Sequence, residues 1–190
     1  VSYEPGIKTV LAKNPDWWGI KDGRFEGNID LIEYRPIGNA ATRMAALQSG
    51  ELDFVLDPAV QDIAKLKQDR NLQIWEGDET RIISITLDQA RDELLYSDVN
   101  AIKSTIMRGL STPTALPTPN PKGEGIPAAL DKRFPFDAAV AKRLLAEAGY
   151  PNGFAFTLHC PNDRYVNDEK ICVALASMWA RIGITTKVET

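Results

Sequence analysis

The stretch AKRLLAEAGYPNGF, residues 141–154, decides the fold class. Ala141, Leu144, Leu145 and Ala148 fall at i, i+3, i+4 and i+7, which places them on one face of a helix. Asp137 can cap its start, and Gly149 can supply the left-handed residue that ends it. Tyr150-Pro151-Asn152-Gly153 then reverses the chain, because proline presets its backbone angle and Asn-Gly tolerates positive ones. Phe154, Phe156 and Leu158 alternate, predicting a strand over 154–159. A second helix follows, with Ile171, Leu175, Met178 and Ile182 as its buried stripe and Gly183 as its stop. Ile184 to Val188 reads as the next strand. The result is a strand–helix–strand unit of an α/β protein, whose first loop belongs at the carboxyl edge of a sheet, where such folds place ligands.

Working outward, Tyr3 to Ala12 reads as an extended segment around a Pro5-Gly6 turn. The turn Asn14-Pro15-Asp16-Trp17-Trp18-Gly19 follows, its two large aromatics expected over a core, with ligand stacking as the alternative. A strand is predicted over 29–34. Asn39 can cap a helix that turns Ala40, Met44 and Leu47 inward and stops at Gly50. Further strands are expected at Leu52–Leu56, Leu72–Trp75 and Ile83–Leu87, with a short helix carrying Ala59, Ile63 and Leu66 between the first two. Residues 90–100 are polar and show no period. They read as a surface loop or as a hinge, since hinge residues sit at element ends and absorb backbone rotation. A helix is expected over 102–109. Residues 113–135 then hold six of the twelve prolines, so this segment continues neither a helix nor a central strand. It is expected to wrap its lobe as a loop anchored by Ala115, Leu116, Ile126 and Leu130.

Composition narrows the function. A net charge of −4 and a pI near 5.1 exclude a nucleic-acid binder, which presents a basic surface. Residues 1–87 carry 10 basic and 14 acidic side chains and residues 88–190 carry 12 of each, an asymmetry that solvated surface charge explains. No run of 18 apolar residues is present, nor is a signal peptide. The chain opens on an expected strand without Met, as a mature or excised segment would. The single histidine, His159, has Thr157 on the same strand face, but no Gly-x-Ser-x-Gly turn, His-Glu-x-x-His pair or phosphate-cradling loop accompanies it. Asp168/Glu169 and Asp53/Asp57 read as a helix start and a polar strand face. Thus no catalytic residue, metal site or cofactor is expected. Cys160, at a strand end, and Cys172, early in the next helix, can bridge if the loop between them folds back. A loop of that length would remove about 3 kcal/mol of unfolded-chain entropy. The alternative is two reduced, buried thiols. A bridge would imply an oxidising compartment.

Four segments, in order, resemble the extracytoplasmic solute-binding proteins of peptide-type ABC transporters. They are VSYEPGIKTVLAKNPDWWG at 1–19, AATRMAALQSGELDFV at 40–55, ISITLDQ at 83–89, and AKRLLAEAGYPNGF with ALASMWARIGI at 141–154 and 174–184. The resemblance implies the class II, peptide-binding type of two-lobed periplasmic binding protein, with both lobes incomplete. Residues 1–88 would form part of lobe I, 89–100 the crossover, and 101–190 part of lobe II. Relatives carry a PF-D-RVRQA segment and an AID helix near residue 100, where this chain passes from Asn100 straight to Ala101. Either residues are deleted there or a stretch is missing. In the second case the two α-carbons would stand farther apart than the roughly 3.8 Å of a peptide link.

The resemblance also implies a periplasmic, monomeric protein that binds peptides or a related small solute, an opine, oligosaccharide or metal chelate among them. Its partners would be the ligand and the permease subunits of an ABC importer, touching the membrane complex only peripherally and involving no nucleic acid. Oligopeptide-binding relatives use a loop aspartate against the ligand's α-ammonium group, and Asp163 matches it best. Asn162, Arg164 and Tyr165 share that loop, and Asp88 and Gln89 are the first-lobe candidates. A secreted α/β hydrolase or thiol enzyme, and a sensor domain without transport, are the competing readings. The first would require a nucleophile and base within hydrogen-bond reach of each other.

Overall fold

The structure is a computed structural model that describes residues 1–190 apart from 25–26, 78, 85–96, 120–121 and 134–135. It divides into two compact units, Val1–Leu56 and Asp57–Thr190.

The first unit is built on an antiparallel meander of β1 (Ser2–Glu4), β2 (Lys8–Ala12) and β3 (Leu31–Tyr34). The expected Pro5-Gly6 turn closes β1 on β2, with the Ile7 N–H donating to the Glu4 carbonyl at 3.0 Å. The register sets Tyr3 opposite Thr9, and Val10 opposite Glu33. Between β2 and β3 lies α1 (Trp18–Lys21). Trp17 and Trp18 do not seal a core as expected. They remain 38% and 56% exposed, tilted against each other with ring centroids 5.3 Å apart. Arg24 covers the Trp18 ring at 5.4 Å, a cation–π contact that suits a solvated aromatic. Helix α2 (Ala40–Gln48) starts as predicted, the Asn39 side chain accepting from the Thr42 N–H at 3.0 Å. Its buried residues are Met44 and Ala46, while Ala40 and Leu47 are half-buried.

Among the described residues, no strand forms at 52–56 or 72–75. Phe54, Leu56 and Trp75 are 69%, 65% and 81% exposed. A strand exists only through its pairing, and among the described residues these segments have no partner strand. Of the strand expected at 83–87, only Ile83 and Ser84 are described, and both are unpaired.

The second unit opens at Asp57, whose backbone is left-handed with φ 51°. Arg81 grips its carboxylate with both terminal nitrogens, at 2.9 and 2.6 Å, and donates through Nε to Glu79 at 2.7 Å. The short helix α3 (Ile63–Leu66) follows and buries Leu66. Helix α4 (Val99–Ala101) is capped by Asp98, which accepts from the Ala101 N–H at 2.9 Å. Asn100 and Ala101 both lie within this helical turn. The following residues were expected to form an ordinary helix over 102–109 but widen into a π-helix, Ile102–Ile106. Thr105 and Ser104 donate to the Ala101 carbonyl, at 2.6 and 3.2 Å. Such side-chain donors compete with backbone partners and loosen the regular ladder.

The proline-rich segment is held by polar groups rather than the apolar anchors expected. Asp131 accepts from the Ala115 N–H at 2.6 Å and the Thr114 hydroxyl at 3.0 Å. These bonds hold its carboxyl below the usual aspartate range, the Ala115 amide contributing most. Thr118, buried, donates its hydroxyl to Glu124. Leu116 and Ile126 are half-buried, but Ala115 is exposed and Leu130 stays 61% exposed.

Helix α5 (Ala138–Glu147) follows the prediction. Asp137 accepts from the Ala139 and Val140 N–H groups at 2.8 and 3.1 Å. After Gly149, at φ 91°, the Tyr150 N–H returns to the Leu145 carbonyl at 2.8 Å. Then come β4 (Ala155–His159), α6 (Asp168–Ala180) and β5 (Thr185–Glu189), with β4 and β5 parallel and Phe156 paired to Thr186. Ala141 and Leu145 of α5, and Ile171, Leu175, Trp179, Ile182 and Ile184, form the core with Met107. Trp179, absent from the predicted stripe, takes the place given to Met178. Its ring packs on Phe156 at 5.5 Å, a tilted geometry favoured between aromatic quadrupoles.

Candidate functional site

The segment 161–167 leaves the carboxyl edge of β4 and enters α6. Its departure is sharp. The Cys160 N–H still reaches the Glu189 carbonyl at 2.8 Å, but Pro161 has no N–H to extend the ladder. Cys160 and Cys172 form the disulfide, with α-carbons 6.6 Å apart, so the loop is tied at both ends to regular structure.

Its interior is organised by Asp168, the first residue of α6, which is only 4% exposed. One carboxylate oxygen, Oδ2, accepts from the backbone N–H groups of Arg164 and Tyr165, at 3.1 and 3.0 Å. The other, Oδ1, accepts from the Glu169 N–H at 2.9 Å. A buried carboxylate requires such partners, since desolvation without them is costly. The first-turn placement read from sequence is correct, but the larger task of Asp168 is to hold the loop. Asn167 adopts the left-handed conformation, φ 58°, which asparagine tolerates better than most residues. Its side-chain Nδ2 donates to the Ile106 carbonyl at 2.9 Å, fastening the loop to the π-helix.

Of the loop candidates, Asp163 and Asn162 are exposed, and among the described residues neither has a hydrogen bond or ion pair. Neither Arg164 nor Lys170 neutralises Asp163. Arg164, exposed, lies over the Tyr165 ring at 5.5 Å and donates through Nε to the Tyr165 hydroxyl at 3.1 Å. Tyr165 is half-buried. Four of the sequence-predicted residues are therefore contiguous on one tethered loop. Asp88 and Gln89 lie outside the described residues.

His159 is exposed on β4, with Nδ1 3.5 Å from Glu189, which also pairs with Lys187 at 2.6 Å. Among the described residues no hydroxyl or thiol is hydrogen-bonded to it, as a nucleophile–base pair requires. Nor does any group of three His, Cys, Asp or Glu among the described residues converge to hold a metal ion. None of the described helices is long and apolar enough to cross a membrane. What the loop offers chemically is an exposed carboxylate and an exposed guanidinium on a segment tied at both ends.

The sequence matches the family described as bacterial extracellular solute-binding proteins, family 5 (middle), over residues 1–190. It is 32% identical to heme-binding protein A of Haemophilus influenzae, over 100% of this chain and 36% of that protein. It is 29% identical to the glutathione-binding protein GsiB of Escherichia coli O1:K1, over 84% of this chain and 32% of that one. The chain thus spans about a third of the length of these curated relatives. Among solved structures it is similar to the ABC transporter-associated periplasmic binding protein DppA from Helicobacter pylori, in complex with the peptide STSA. The TM-score is 0.81 at 24% identity, covering 100% of this chain and 37% of that one. The dipeptide binding protein from Pseudoalteromonas sp. SM9913, in complex with Met-Leu, gives a TM-score of 0.67 at 21% identity, covering 98% and 38%.

Proposed function

The chain belongs to the bacterial extracellular solute-binding proteins of family 5 and has the α/β fold of periplasmic binding proteins, and from that premise we propose that it forms part of the substrate-binding component of an ABC importer. The observation that carries this reading is the family match across the whole chain. In the proposed protein, residues 1–88 contribute to one lobe, 101–190 to the other, and 89–100 form the crossover. A small solute, a short peptide first among the candidates, binds between the lobes outside the cytoplasm and is handed to the permease without chemical change. The protein acts as a monomer and meets the membrane only through the permease. The named ligands of its relatives, peptides, glutathione and heme, differ in shape but all carry carboxylate groups that a cleft can read by hydrogen bonds.

In this reading the tethered loop 161–167 is the second-lobe rim of the cleft. Asp163 supports it, being an exposed carboxylate with no partner among the described residues. Such a group can make a charge-assisted hydrogen bond to a ligand's ammonium once closure excludes water. Tyr165, Asn162 and Arg164 flank it, and Asp88 and Gln89 are proposed to approach from the first lobe. Closure requires tighter binding in the closed state than in the open one, because equal affinity shifts no population.

Calorimetry of the full-length protein against short peptides, with and without a blocked amino terminus, tests the assignment. Asp163→Ala is expected to weaken binding of free-amine peptides about tenfold or more and to leave blocked ones within about twofold. Equal losses for both would remove the role of Asp163, and no binding of any peptide would remove the peptide reading itself.

A further inference from the structure

Helix spacing puts Met178 on the buried stripe of α6, yet Trp179 fills the core and Met178 stands half-buried beside it. There its sulfur accepts a hydrogen bond from the Asp98 N–H at 3.4 Å, across 80 residues of sequence. Asp98 is itself a cap. Its carboxylate accepts from the Ala101 N–H at 2.9 Å, and its carbonyl accepts from the Ile102 N–H at 3.1 Å. At the far end of the same element, the Asn167 side chain holds the Ile106 carbonyl at 2.9 Å. Segment 98–106 is thus fastened at two points, to α6 and to its entrance. A thioether, among the weakest acceptors a side chain offers, makes the first of them.

Sulfur chemistry singles out the same residue. The chain has two cysteines and three methionines. Both cysteines are joined in the Cys160–Cys172 disulfide, so no thiolate of this chain competes for an oxidant. Met44 and Met107 are buried, at 6% and 8% exposure. Of the three thioethers, that of Met178 belongs to the residue with partial access to solvent.

We infer that Met178 is a reversible oxidation site, and that its sulfoxide releases the start of α4 from α6. Hydrogen peroxide is the oxidant. The sulfur lone pair attacks one peroxide oxygen, an S–O bond forms as the O–O bond breaks, and the other oxygen leaves as water. Sulfur loses two electrons and the peroxide gains them. The new oxygen cannot fit along the existing contact. An N–H···O bond alone spans about 2.9 Å, and the sulfur already stands 3.4 Å from the amide nitrogen. Either the oxygen turns away and the amide loses its acceptor, or Asp98 moves. Both outcomes loosen the cap. Methionine sulfoxide reductases reverse the change, one enzyme for each epimer. None of this depends on which ligand the protein carries.

The test exposes the folded, full-length protein to hydrogen peroxide and follows each methionine by peptide mass. Met178 is expected to gain one oxygen at least about tenfold faster than Met44 and Met107, because susceptibility follows exposure. Amide hydrogen exchange should then quicken about fivefold or more over 98–106, with α5 little changed. Treatment with both sulfoxide reductases should restore the starting rate. Met178→Leu keeps a similar volume but has no sulfur to oxidise, and should show no peroxide-dependent quickening there. Met178 oxidised no faster than the two buried methionines overturns the site. Exchange over 98–106 that is unchanged in the oxidised protein overturns the release of α4, as does equal peroxide-dependent quickening in Met178→Leu. If that variant does not fold, reversal by the reductases in the unmodified protein decides the same point: quickening that persists once Met178 is reduced again removes the assignment.

Discussion

At the scale of single residues, Gly153 and Gly183 show how little space the strand–helix–strand unit leaves. Gly153 has φ 76°, and a methyl group built on its α-carbon would enter the Gly183 carbonyl. Gly149 also has a positive φ, 91°, but open space where a side chain would project. The two positions separate conformational strain from backbone contact. Gly149→Ala is expected to lower the unfolding free energy by about 1–2 kcal/mol, the left-handed penalty alone. Gly153→Ala should cost roughly 2–4 kcal/mol, because one of two backbones must also move. Urea unfolding of the two variants checks the order, and equal losses would mean that the close approach relaxes freely. Asp168 makes a related point. Its neighbour in sequence, Glu169, is an exposed helix-start acid, whereas Asp168 is buried and holds three backbone amides.

At the scale of elements, the disulfide joins the end of β4 to the second turn of α6 across the candidate loop. Replacing both cysteines by serine is expected to reduce unfolding free energy by roughly 3 kcal/mol through loop-closure entropy. Hydrogen exchange should quicken more at residues 161–167 than in α5, which the bridge does not touch and whose core amides quicken only with the global loss. Uniform quickening throughout the second unit would show instead that the bridge supports the whole core. The π-helix at Ile102–Ile106 is the second device at this scale. Its wide turn presents the Ile106 carbonyl to Asn167, and π-turns frequently accompany functional segments.

At the scale of the whole molecule, the two units have unequal completeness. The second encloses an apolar core around Leu175, which is only 1% exposed. The first leaves Tyr3, Leu31 and Tyr34 of its sheet 71%, 61% and 56% exposed. A binding protein of the proposed kind has a further property measurable without locating the site. Ligand that binds only the folded protein raises its stability by mass action, about 2.7 kcal/mol at one hundred times the dissociation constant. A bound peptide should therefore raise the melting temperature of the full-length protein in step with peptide concentration. No rise at saturating peptide, measured by scanning calorimetry, would contradict a peptide-binding role.

Much of this was legible in the chain. Periodicity and capping residues located α2, α5 and α6, because each helix carries its own start and stop chemistry: Asn39, Asp137, Gly149 and Gly183. The Pro5-Gly6 turn, the strand alternation from Phe156 to Leu158 and the cysteine pair were local signals of the same kind. Strands at 52–56 and 72–75 were misread, since alternation marks a segment able to pair, while pairing itself needs a partner edge elsewhere. Trp179 and Met178 exchanged places because helix spacing names a stripe only to within one residue. Sequence thus determined α2, α5 and α6, the turns and the candidate loop, all governed by interactions between near neighbours. Tertiary structure alone decided that Asp168 turns inward to grip the Arg164 and Tyr165 amides, that Asn167 reaches a π-turn 61 residues away, and that Arg164 lies on the Tyr165 ring. Those outcomes depend on burial and on distant backbone groups, which no pattern of adjacent residues encodes.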